Sequence, residues 1–102
     1  IAPGFDFYQV LPTFVTKSIE YIEQQAKQEK PFFLYLPFAA PHTPWVATDA
    51  FKGSSKAGNY GDFVNMVDHS VGEILTTLNE LGLDDNTLVI FILIFDSFQD
   101  FF

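Results

Sequence analysis

The chain has 102 residues, 48% of them apolar and 18% aromatic, which limits it to one compact domain and argues against long disorder. Five cations, all Lys, stand against thirteen Asp and Glu, a net charge of −8, which argues against a phosphate-backbone binder, since that job needs clustered cations. With no Cys and no Arg in the sequence, disulfides, thiolate zinc sites and thiol nucleophiles are excluded too, and the redox compartment stays open.

The chain starts at Ile1 without a basic-then-apolar leader, which reads as a cut or processed end. Its longest apolar run, Leu88 to Phe95, is eight residues, far short of the roughly 20 that cross a bilayer, so no transmembrane segment is expected. Residues 1–12 hold two Pro and one Gly and read as an irregular lead-in. A helix is expected over 12–30: Thr13 can cap its first turn, and Val15, Ile19, Ile22 and Ala26 draw one apolar stripe. Phe14 and Tyr21 lie elsewhere on the wheel. Pro31 disfavours helical geometry in the residue before it and sets the end near Lys30.

Residues 32–38 (FFLYLPF) form an unbroken apolar run, the pattern of a strand covered on both faces. Residues 39–59 follow without a period and with two Pro and two Gly between Pro41 and Gly58. This connection is longer than the roughly 12–15 residues usual for structureless loops, and such loops tend to be functional. The clearest helix is expected over 60–81, where Tyr60, Phe63, Val64, Val67, Val71, Ile74, Leu75, Leu78 and Leu81 share one side of the wheel. Asn59 fits its cap and Gly82 its stop, while Gly72 inside it suggests the close approach of a neighbouring backbone. After turn chemistry at residues 83–86, residues 87–95 (TLVIFILIF) read as a second buried strand. Helix, strand, helix, strand then predicts an α/β fold, a partial parallel sheet with flanking helices, and ligands beyond the carboxyl ends of the strands, where the loop holding His42 begins.

The run from Pro31 to Trp45, PFFLYLPFAAPHTPW, resembles the strand and loop of the sulfatases, within the alkaline-phosphatase-like superfamily. Three further blocks are similar to the same family in order: Phe51-Lys52-Gly53, residues 58–72 (GNYGDFVNMVDHSVG) and residues 84–91 (DDNTLVIF). The resemblance covers residues 3–91 and implies an internal fragment of a sulfuric ester hydrolase acting on a sulfate ester, from a periplasmic, secreted or lysosomal protein. It implies one catalytic residue here, His42, facing the sulfate or protonating the leaving oxygen, work suited to an imidazole. The plainer reading of His42 is a solvated loop residue.

The family's nucleophile is a formylglycine made within a C/S-x-P-x-R motif beside a divalent cation, usually calcium. A chain without Arg cannot hold that motif, so the nucleophile and the paired Asp ligands are expected upstream of Ile1, and calcium binding by this chain is not expected. Past Phe91 the family pattern Thr-Ser-Asp-Asn-Gly gives way to Ile92-Leu93-Ile94-Phe95, and hydrocarbon does not ligate calcium. Asp96 shares the parity of the missing Asp but falls about 6–7 Å further along, and Ser97 replaces the Asn poorly. The ending, rich in Phe, reads as truncated or out of frame. Without nucleophile and metal ligands the chain alone is expected to be inactive. Two alternatives stand beside this: a phosphoesterase of the same superfamily, and a non-catalytic α/β interaction fragment.

Among the remaining polar residues, His69 is expected to face solvent, not to pair with His42 on a metal. Asp62 and Asp68 read as surface charges or loop anchors, and Lys52 and Lys56 as solvated cations. Trp45 and Phe51 either pack the loop down or contact a sugar ring.

Overall fold

The computed structural model describes residues 2–93. Two helices dominate them: α1 (Val10–Ala26) and α2 (Gly58–Glu80), each led or followed by a 3-10 turn, Phe7–Gln9 before α1 and Asp84–Asn86 after α2. The Asp6 side chain accepts a 2.9 Å hydrogen bond from the Tyr8 N–H, and the turn it caps runs straight into α1. The helix therefore starts two residues before the expected position. Pro12 does not prevent this, because the N–H groups of a first turn have no partner inside the helix. Thr13 is exposed within α1 and caps nothing. At the other end the chain tightens through Lys27 N–H to Gln24 O and Gln28 N–H to Gln25 O, ending α1 four residues earlier than Pro31 alone implies.

The apolar periods are realised as packing. Leu11, Val15, Ser18 and Ile22 form the buried face of α1, with Ile22 only 1% exposed. From α2 come Phe63, Met66, Val67 and Leu78. The core cluster joins Leu11 and Val15 to Phe63, Met66, Val67 and one loop residue, Ala47. The buried hydroxyls of Ser18 and Ser70 donate to the carbonyls of Phe14 and Met66, four residues back, so neither is left without a partner. Gly82 stops α2 as expected: at φ +67° it lets Leu83 N–H reach Leu78 O and its own N–H reach Asn79 O, both at 2.9 Å, a Schellman ending. Asn59 is not the cap, since α2 already begins at Gly58 and Ala57 stands at the cap position without a side-chain bond. Gly72 is exposed with no atom within 4 Å of where a Cβ would sit, so it admits no neighbouring backbone.

The expected α/β architecture is overturned. Among the described residues there is no strand and no sheet. Residues 32–38 do run without helical bonds, but they lie along α1: the rings of Tyr21 and Phe32 are 6.0 Å apart and those of Phe14 and Phe38 6.4 Å, both edge-to-face. Burial alternates along the run, with Phe32, Leu34, Leu36 and Phe38 half-buried and Phe33 and Tyr35 84% and 76% exposed. One face is covered, not two. Residues 87–93 are more open still, Leu88 being 85% exposed. An apolar run reports a demand for burial, whereas a strand exists only through a ladder to a neighbour, and no described residue supplies one. Residues 94 and 95 of the expected second strand, together with Asp96 and Ser97, lie outside the described residues.

Two substitutions separate these readings. Ile22→Ala is expected to cost about 2–5 kcal/mol, as buried Ile truncations do, while Leu88→Ala should stay within about 0.5 kcal/mol. Urea unfolding followed by circular dichroism measures both; a large loss at Leu88 would restore a buried second strand.

Candidate functional site

The segment between the helices holds His42, and nothing periodic in its sequence explains why it keeps one shape. Apolar anchoring comes first. Ala47 is buried in the core cluster, and Ala40, Val46 and Phe51 pack against it half-buried. A turn then forms at residues 48–54 through Phe51 N–H and Lys52 N–H to Thr48 O (2.9 and 3.2 Å) and Ser54 N–H to Phe51 O (3.0 Å).

The second anchor is Asp62, in the first turns of α2 and only 5% exposed. One carboxyl oxygen accepts the Gly53 N–H and the other the Ser55 N–H, each at 2.8 Å. These are the loop-anchoring bonds that the sequence allows for Asp62; Asp68 instead is exposed. Ser55 passes the restraint on by accepting the Ala57 N–H at 2.9 Å, and Asn65 Nδ2 donates to Ser54 O and Oγ. Gly61 makes the close approach possible: a Cβ there would collide with Ser55 Oγ and lie 2.8 Å from the Cβ of Ser55 and of Ala57. Gly53, at φ +77°, supplies the left-handed bend beside the Asp62 carboxyl.

His42 stands on the exposed part of this loop, where its own N–H bonds Ala39 O at 3.1 Å. Its Nδ1 lies 2.8 Å from Thr43 O and 3.4 Å from Thr43 Oγ1. A carbonyl oxygen only accepts, so this contact is a hydrogen bond in the tautomer that carries the proton on Nδ1. Trp45, three residues on, meets Tyr60 of α2 edge-to-face at 5.4 Å, the two being 47% and 43% exposed.

The other candidates take separate places. His69 faces solvent as expected, with Nε2 4.0 Å from Glu73 and its ring 5.2 Å from that of Phe51. It borders a cleft of about 260 Å³ between the helices, lined also by Ile19, Thr48, Met66 and Glu73. Lys52 is held by Asp49 at 2.7 Å and sits over the Tyr8 ring, 5.5 Å from its centre; that hydrogen bond and the opposite charge of the partner pull the Asp49 carboxyl below its ordinary value and push Lys52 above its own. Lys56 is exposed. Among the described residues no three His, Asp or Glu side chains converge in a way that could hold a metal ion, and no helix is long and apolar enough to cross a membrane.

The sulfatase family model matches residues 10–92. N-acetylgalactosamine-6-sulfatase of Canis lupus familiaris is 40% identical over 78 residues, covering 76% of this chain and 15% of the relative. A protein of Bacteroides thetaiotaomicron, N-acetylgalactosamine-6-O-sulfatase, is 41% identical over 72% of this chain and 15% of its own length. Steryl-sulfatase of Rattus norvegicus is 47% identical over 61% of this chain and 11% of its own. The chain thus spans about 15% of the length of the first of these relatives. No solved structure gives a significant match.

Asp62→Asn keeps one acceptor oxygen and turns an NH₂ toward a backbone donor, so it is expected to cost about 1–3 kcal/mol. Amide exchange should then accelerate at Gly53 and Ser55 ahead of the α2 core; unchanged protection there would contradict the anchor. At the exposed ion pair, an NMR titration should find Asp49 below the usual carboxyl range and find it restored in Lys52→Ala. The depressed value means that the pair persists above the ordinary Asp range and is lost as the pH falls through the lowered one; because both groups lie in water, the unfolding midpoint should not move.

Proposed function

The chain belongs to the sulfatase family, and on that footing we propose that it supplies the imidazole arm of a sulfate-ester hydrolase pocket, with His42 as the residue that meets the ester. The single observation behind the reading is the disposition of that ring within the matched region: Nδ1 lies 2.8 Å from the Thr43 carbonyl, and the tautomer that donates there assigns the chemistry on the ester to Nε2. A protonated Nε2 donates to a sulfate oxygen or to the bridging oxygen as the S–O bond breaks, so the departing alcohol leaves neutral. A deprotonated Nε2 does neither. The loop anchors determine where that nitrogen stands, and catalysis of this kind loses heavily from small misplacements.

The nucleophile comes from elsewhere in the intact enzyme. The sequence has no Cys and no Arg, so the C/S-x-P-x-R motif is not within these residues, and the 102-residue chain alone is inactive. Calcium is assigned to ligands elsewhere in the intact enzyme, as the missing Thr-Ser-Asp-Asn-Gly pattern implies, and no step here runs through it. The substrate class is a sulfate ester. Relatives named for N-acetylgalactosamine 6-sulfate align over more of the chain than the one named for steryl sulfate, which favours a sulfated sugar. A lysosomal, secreted or periplasmic setting follows from the same kinship.

The test has two parts. The purified chain is expected to release no product from p-nitrocatechol sulfate above background, and turnover at the rate of an intact sulfatase would refute the division of labour. Calorimetry with methyl sulfate should show weak binding that falls at least about fivefold in His42→Ala, a loss in the range of a hydrogen bond to a charged group; equal binding by the variant would remove His42 from the pocket.

A further inference from the structure

We infer that Trp45 and Tyr60 form an aromatic platform for the sugar ring of the substrate, a specificity-determining pair beside His42; the inference rests on the assignment of His42 to the sulfate ester. Two aromatic residues from separate elements, the loop and the start of α2, are brought into edge-to-face contact at 5.4 Å, yet each keeps over two-fifths of its surface open. Packing alone explains Phe51, which sinks against the core. It does not explain Trp45, the only Trp of the chain, left half-exposed where the neighbouring Ala47 is buried.

Position adds the second argument. Trp45 follows His42 by three positions, with Thr43 and Pro44 between them, so their Cα atoms are at most about 11 Å apart by the reach of an extended chain. That is the span of one pyranose carrying an exocyclic sulfate. A ring resting its C–H face on the aromatic pair is then within reach of His42 through its ester.

The shape of the site selects among ester classes. A sterol must bury most of its surface in a concave apolar pocket, and the cleft of about 260 Å³ beside His69 between the helices is lined by neither His42 nor Trp45. The Trp45–Tyr60 pair is an open surface instead, suited to a ligand with one apolar face. Thr43 and Asn59, both exposed and within two positions of the pair in sequence, add polar groups beside it.

The lone Trp gives a direct readout. Titrating the chain with N-acetylgalactosamine 6-sulfate should change Trp45 fluorescence to saturation, and Tyr60→Leu, which keeps apolar bulk, should weaken that binding about two- to tenfold, as loss of an aromatic contact does. Calorimetry on Trp45→Ala, with Trp45→Phe as the conservative variant, should show loss and partial retention respectively. Methyl sulfate, having no ring, should bind Tyr60→Leu as it binds the parent chain, while His42→Ala should weaken both ligands. If the sulfated sugar binds Tyr60→Leu and Trp45→Ala as tightly as the parent, or if estrone sulfate binds more tightly with the same dependence on Trp45, the platform is refuted while His42 keeps its role. If neither ligand depends on His42, the assignment of the ester site itself fails. Circular dichroism of each variant confirms that α1 and α2 persist.

Discussion

Asp62 holds two backbone N–H groups of a neighbouring loop with one carboxyl group, and the candidate site depends on that restraint. A segment with several Pro and Gly and no internal ladder pays a large entropy to adopt one conformation. Here the opposing terms are few and specific: two charge-assisted type contacts at 2.8 Å, the burial of Ala47, and the space that Gly61 leaves for Ser55 and Ala57. Each fixes a different part of the loop to α2. The exposed stretch with His42 and Trp45 is what remains between those fixed points and the extended run on α1.

The two helices matter to the site mainly as this mounting surface. α2 presents Asp62, Phe63, Met66 and Val67 on one face, so the same helical period that makes the core also aims the loop anchors. Thr48 Oγ1 lies 4.0 Å from Met66 Sδ, the sulfur tolerating a polar neighbour that a hydrocarbon would exclude. α1 closes the opposite side and takes the half-buried face of residues 32–38. The remaining face of that run, with Phe33 and Tyr35 outward, and the exposed residues 88–93 are the features least satisfied within the described residues.

The helices were legible in the sequence because a 3.6-residue period needs only the chain itself to be expressed. The stop at Gly82 was equally local, a single residue able to take positive φ. Boundaries shifted where side-chain detail decided them, as with Asp6 starting the turn ahead of α1. The sheet was misread for the opposite reason: residues 32–38 and 87–93 have the apolar content of strands, but pairing is a property of two segments, and the described chain gives neither a partner. His42 is singled out in the sequence by its Pro-flanked motif and the blocks around it. The anchoring role of Asp62 is only one of two readings the sequence supports, since a solvated surface charge suits an acidic residue on a helix as well. Gly61 was passed over for Gly72, although Gly61-Asp62 adjoining a Ser- and Gly-containing loop was the available signal.

The role proposed for His42 requires the loop to present it to a sulfate ester through Nε2, with Nδ1–H tied to Thr43. Nitrogen-15 NMR of the imidazole in the intact 102-residue chain tests it most directly. The neutral ring should show a protonated Nδ1, and adding a sulfate ester should shift the Nε2 resonance while Nδ1 stays nearly fixed. A neutral ring protonated at Nε2, or a ring whose two nitrogens ignore the ester, would contradict it.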